Sequence, residues 1–304
     1  MPRLLLTLSL ACAAVGGWAL PASALTKDQV FGIGDVKDPA AFQDPRLKRL
    51  RPTSARRVVD WDVARTPGVA RDGLDAWYQA VLDAGLEPLV TLQAFEASRT
   101  PTVAEYEAAF GAALERWPRI REWQAWNEAN HIGEPATYRR PARAAAYAKA
   151  MERLCPTCTV VPLTYVLSES VRSRRWLRKF LKAYGRTPRI WAVHAYGDPN
   201  HFTFRLLASF LRAHPRGRVW ITETAGLASF QDKLAYNLRR QRKATRFAFR
   251  EAVRFRSRVD RMYYWGWHGA SPRGNFGWDS GLLSPSGSPR PAYYAALRYR
   301  FKRR

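Results

Sequence analysis

Short apolar runs rich in Val, Ile, Trp and Tyr alternate along the chain with longer stretches whose apolar residues recur at helical spacing. The short runs are FGIGD (31–35), RRVVDW (56–61), EPLVTL (87–92) and REWQAW (121–126). They continue with TVVPL (159–163), RIWAVHAY (189–196), RVWITE (218–223) and RMYYWGW (261–267). Each is bounded by polar or turn-forming residues, which predicts eight strands. Between them, DGLDAWYQAVLDAG sets Leu74, Trp77, Tyr78, Val81 and Leu82 on one helical face, with Gly85 placed to stop the helix. Asp44-Pro45 reads as an N-cap followed by Pro at the first helical position. Thr102 with Glu105 forms a capping box ahead of Tyr106, Phe110 and Leu114.

Eight strand–helix alternations predict an α/β fold, a (β/α)8 TIM barrel forming a single domain over residues 25–304. A doubly wound sheet is the other candidate, but FGIGDVKD lacks the third glycine of a phosphate-binding turn. Residues 1–24 are set apart as a signal peptide. Arg3 supplies a positive start, an apolar stretch follows, and Ala22-Ser23-Ala24 makes a cleavage site, so the mature protein is expected to be secreted. No later segment reaches the roughly 18 apolar residues of a membrane span.

Composition changes this picture in two places. After cleavage, two cysteines remain, Cys155 and Cys158 in CPTC, and an exported chain favours a small structural disulfide between them. One such pair cannot complete a zinc site, and no metal or cofactor is expected. The formal charge is +25 and Arg3 is the leader's only charged residue, so nearly all of it belongs to the mature chain. It gathers in RSRRWLRKFLK (172–182), LRRQRKATRFAFR (238–250) and the tail RYRFKRR. Their helical spacing favours solvated outer helix faces; the sharper alternative is adhesion to an anionic cell-wall polymer or acidic glycan. No nucleic-acid motif accompanies the charge, and a monomer is expected.

In a barrel, chemistry sits where strands end. The fourth run ends in Asn127-Glu128, the sixth in His194-Ala195-Tyr196 and the seventh in Thr222-Glu223. The eighth carries Trp265, and the second ends in Asp60-Trp61. Glu128 and Glu223 stand 95 residues apart, about 32 for each of three units, which keeps both in register with the roughly 30 residues of a β/α unit. Two carboxyl groups aimed into one aromatic-lined mouth suit glycosidic cleavage, where one donates a proton and the other attacks.

WNEAN, VHAYGD, VWITETAG and the closing GLLSPSGSPRPAYYAALR resemble clan A glycoside hydrolases, most closely the exported bacterial members, over about residues 31–299. The resemblance implies a retaining mechanism with Glu128 as acid/base and Glu223 as nucleophile. It further implies that Asn127 binds the 2-hydroxyl of the sugar being cleaved, that Tyr196 hydrogen-bonds the nucleophile beside His194, and that Trp265 floors the pocket. The clan carries an Arg on its second strand, here Arg56 or Arg57, with Arg56 favoured by its spacing to Trp61. Ala195 departs from the Asn often found between that His and Tyr. The substrate is then a carbohydrate; the alternative is a barrel that binds a carbohydrate or anionic polymer without cleaving it.

Overall fold

Residues 29–96, 99–270 and 277–299 are described by a computed structural model of the chain; the segment expected to be a signal peptide and residues 300–304 of the basic tail lie outside them. The strands are β1 (Val30–Gly34), β2 (Ser54–Asp60), β3 (Glu87–Gln93), β4 (Glu122–Gln124), β5 (Thr159–Val161), β6 (Thr164–Val166), β7 (Ile190–His194), β8 (Arg218–Thr224) and β9 (Val259–Trp265). They lie in the order β5-β4-β3-β2-β1-β9-β8-β7-β6, with every pairing parallel. The two ends of that order are consecutive in sequence, so the sheet curls into a barrel.

Nine strands replace the predicted eight because the fifth is split at Pro162-Leu163. Pro162 has no N–H to give the ladder, so pairing with β4 ends before it and pairing with β7 starts after it. Backbone bonds bridge the gap: the Ala125 N–H donates to Val161, the Thr164 N–H to Trp126, and the Ala129 N–H to Thr164. The sixth, seventh and eighth predicted strands are therefore β7, β8 and β9. The fourth is shorter than its apolar run, because the chain leaves the ladder after Gln124 and turns at Glu128, whose φ is +38°.

Around the barrel run α1 (Pro45–Leu50), α2 (Val69–Asp83), α3 (Val103–Arg116), α4 (Pro141–Leu154), α5 (Val171–Tyr184), α6 (Gly197–His201), α7 (Arg205–Ala213), α8 (Leu238–Arg254) and α9 (Pro291–Leu297). Asp44 caps α1 by accepting from the Arg46 N–H, and the Thr102–Glu105 capping box opens α3. In α2 the buried stripe is Leu74, Trp77 and Val81. These faces pack on the outside of the barrel in one large apolar cluster. A smaller cluster of Leu89, Val161, Ala192, Trp220 and Tyr263 joins strands from across the sheet, which places it inside the barrel. On α5, Trp176, Leu177 and Phe180 are buried while Arg174, Arg175, Arg178 and Lys179 face solvent. That is the solvated-face arrangement its charge pattern favours. Among the described residues no helix is long and apolar enough to cross a membrane.

Candidate active site

A cavity of about 750 Å³ opens at the C-terminal ends of the strands. Its chemistry is organised from below by Arg56 on β2, which is 1 % exposed. A guanidinium that deep must spend its donors on partners. Nη1 donates to Glu223 Oε1 at 2.7 Å and Nη2 to Asn127 Oδ1 at 2.9 Å. Nε reaches Thr91 Oγ1 at 3.0 Å and Gln124 Oε1 at 2.5 Å. Strand alternation sends its neighbour the other way: Arg57 Nη1 donates to the Gly73 carbonyl in α2 at 2.7 Å. Of the two arginines, Arg56 is the one bonded to Glu223.

Glu223, near the end of β8, also accepts from Tyr196 Oη at 2.8 Å. One carboxylate oxygen is thus fixed by a guanidinium and the other by a phenol. Asn127 is held in turn by donating Nδ2 to Gln93 Oε1 at 2.9 Å. Glu128 takes a hydrogen bond on Oε1 from His194 Nδ1 at 2.8 Å, and His131 Nδ1 lies 3.7 Å from Oε2. The other ring nitrogen of His194 is 3.4 Å from Glu223 Oε1 without hydrogen-bond alignment. The histidine therefore stands between the two carboxyl groups.

Like-charge repulsion from Glu223 is expected to hold a proton on Glu128. Burial does push the Glu128 carboxyl up, but the hydrogen bond and charge of His194, with His131 and Arg56, outweigh it and bring the group below the usual glutamate range.

Trp265 closes β9 with its ring 5.4 Å from the Arg56 guanidinium and lines the cavity. Gly34 on β1 makes this possible: a Cβ there would lie 2.5 Å from the Trp265 ring. The Gly-x-Gly of FGIGD thus serves close packing. Trp61 is not brought to the cavity; its indole donates to the Arg99 carbonyl at 2.7 Å, and the ring packs on the outer core. Cys155 and Cys158 are disulfide-bonded, with Cα atoms 5.3 Å apart, just ahead of β5 and so at the opposite end of the barrel. Asp198 caps α7 by accepting from the Leu206 and Leu207 N–H groups.

Sequence reasoning missed Trp278, Phe230, Phe95 and Glu134. Trp278 meets the Tyr196 ring edge-on at 4.8 Å. Phe95 lines the cavity while 63 % exposed. Glu134 is pushed up to about 8 by burial, although the Trp126 indole donates to it at 2.9 Å. Nothing in the spacing marks these residues, since they stand on loops outside the strand–helix rhythm. Among the described residues, Glu128, His194 and Glu223 form the group with ligand atoms close enough for a metal, all within 4.8 Å of one another. Arg56 already compensates Glu223, so a dication would compete with a buried guanidinium.

A family model described as the glycosyl hydrolase catalytic core matches residues 109–295. Curated proteins give no match to the sequence. Among solved structures, a family 39 glycoside hydrolase from Bacteroides cellulosilyticus WH2 is similar with a TM-score of 0.65 and 15 % identity, over 92 % of this chain and 64 % of that longer one. Xylanase XynB from Paenibacillus barcinonensis gives a TM-score of 0.67 at 10 % identity, covering 90 % and 96 %. A family 128 endo-β-1,3-glucanase from Pseudomonas viridiflava gives 0.59 at 19 % identity, covering 91 % and 100 %. At these identities the likeness is one of fold.

Proposed function

The chain belongs to the glycosyl hydrolase catalytic-core family, its enzymatic class is therefore glycoside hydrolysis, and we propose that it retains anomeric configuration through Glu223 and Glu128. The observation that carries this reading is the distance between the two carboxyl groups. Their nearest oxygens are within 4.8 Å, in keeping with the roughly 5 Å of retaining enzymes and well short of the ~6.5–9.5 Å that leaves room for a water in inverting ones.

In the first step a Glu223 oxygen forms a bond to the anomeric carbon as the bond to the leaving oxygen breaks. Glu128 gives that oxygen its proton, so the aglycone departs as an alcohol. In the second step Glu128 takes a proton from water, the hydroxyl adds to the anomeric carbon, and the Glu223 carboxylate is released. Arg56 and Tyr196 orient Glu223 and spread its returning charge. His194 supplies the hydrogen bond that steadies Glu128 while it is ionised. A sugar covering the site strips water from Glu128 and strengthens the effect of burial, which favours the protonated acid. Asn127 binds the 2-hydroxyl, and Trp265 and Trp278 offer rings to the apolar C–H faces of the sugar. Action outside the cell is part of this proposal; the leader-like first 24 residues and the Cys155–Cys158 disulfide support it.

Replacing the acid tests the division of labour. Glu128→Gln should lose roughly 10²–10⁴-fold on sugar leaving groups and much less on activated aryl glycosides, with folding unchanged. Equal losses on both would remove Glu128 from the acid role.

A further inference from the structure

One wall of the cavity is a continuous run of contacts away from the nucleophile. Tyr196 donates to Glu223, its ring meets Trp278 at 4.8 Å, and Trp278 meets Phe230 at 5.1 Å. The Lys233 ammonium lies 5.3 Å from the Phe230 ring. All four side chains line the cavity. The wall therefore leads from the reacting carboxylate, across aromatic faces, to a cation.

That cation is not needed to balance the site. Arg56 compensates Glu223 and His194 faces Glu128, and among the described residues no carboxylate lies within ion-pair distance of Lys233. On the β1 side of the same cavity, Lys37 has a side chain 77 % exposed and its neighbouring carboxylate, Asp35, is 3.6 Å away. A neutral glycan laid along this wall would offer the exposed Lys233 ammonium hydroxyl oxygens to bond but no opposite charge. A glycan bearing anionic groups would return an ion pair.

Building on the glycosidase reading, we propose that the substrate is an acidic glycan, and that Lys233 and Lys37 select it by pairing with its carboxylate or sulfate groups. The basic outer helices are a separate feature: they would hold an acidic polymer anywhere on the surface, whereas these two lysines hold it in the cavity.

Titration calorimetry on the full chain carrying Glu128→Gln, which slows turnover, tests this. The probes are oligosaccharides of polygalacturonate, alginate and hyaluronan, their carboxyl-reduced counterparts, and sulfated carrageenan oligosaccharides. At low salt at least one acidic probe should bind several-fold more tightly than its neutralised counterpart. Lys233→Ala should cut that preference about two- to fivefold, and Lys37→Ala with Lys233→Ala more, as expected for exposed ion pairs. Preference for carrageenan over the uronates, lost in the same variants, identifies sulfate as the group read. Equal binding of acidic and reduced probes, or no binding to any acidic probe, overturns the proposal, and so does a preference that persists in the double variant. Cleavage of neutral glycans without acidic preference would sink this proposal and leave the glycosidase reading standing. Lysine-dependent binding of acidic probes, with no turnover by the unmodified chain on any of them, would keep the two lysines as an acidic-glycan site and overturn the claim that the glycan is a substrate.

Discussion

A buried arginine decides the geometry at the level of single residues. Arg56 gives one donor to Glu223, one to Asn127 and a shared third to Thr91 and Gln124, tying β2, β3, β4 and β8 to one point. His194 performs the corresponding task for Glu128, and its effect has a readable sign. Burial raises the Glu128 carboxyl, and His194 is the main influence that lowers it. His194→Phe removes the lowering influence and leaves burial, so the Glu128 pKa should rise. Since the acid works only while protonated, the basic limb of the kcat/KM profile should move to higher pH. An unmoved or lowered limb would separate Glu128 from that limb. Glu128, Glu223, Asn127, His194 and Tyr196 were legible as candidates because each ends an apolar run at regular spacing, whereas Arg56 was singled out by the family resemblance. Trp61 was legible in position only. It follows β2 directly, but its indole turns to Arg99 on the loop after β3, a choice that tertiary packing makes. Trp278 carried no signal, because a tryptophan on an irregular loop is indistinguishable in sequence from one of the many that only pack.

Among the elements, caps and amphipathic faces are set by neighbours in sequence, so α1, α2 and α3 could be read directly. The split of the fifth strand could have been read too, since Pro162 interrupts any ladder it enters. The turn at Glu128 could not, because a positive φ on a glutamate is held only by its surroundings. The β1–β9 contact shows how an element shapes the site without touching substrate. Gly34→Ala would put a methyl 2.5 Å from the Trp265 ring, which rests beside Arg56. Overpacking of this kind costs about 1–3 kcal/mol. Denaturant unfolding should register that loss, and kcat/KM should fall at least about tenfold because the cavity floor moves. Wild-type activity in this variant would show that Trp265 takes no part in binding.

For the molecule as a whole, the two ends of the barrel divide the work. The Cys155–Cys158 bond lies at the end away from the cavity and closes a very short loop. Loop-closure entropy then gives it about 2 kcal/mol. Cys155→Ser with Cys158→Ser should lower unfolding free energy by about that much and leave kcat unchanged; a loss of activity without a loss of stability would contradict the separation of the two ends. The charge of +25 lies mostly on outer helix faces and says more about adhesion than about catalysis. Under the proposed retaining mechanism Glu223 becomes covalently glycosylated, and that adduct can be trapped. Incubation with a panel of activated 2-deoxy-2-fluoro glycosides, followed by peptide mass mapping, should show one fluoroglycosyl unit on Glu223. A label on any other residue, or hydrolysis with inverted configuration at the anomeric carbon, would contradict it.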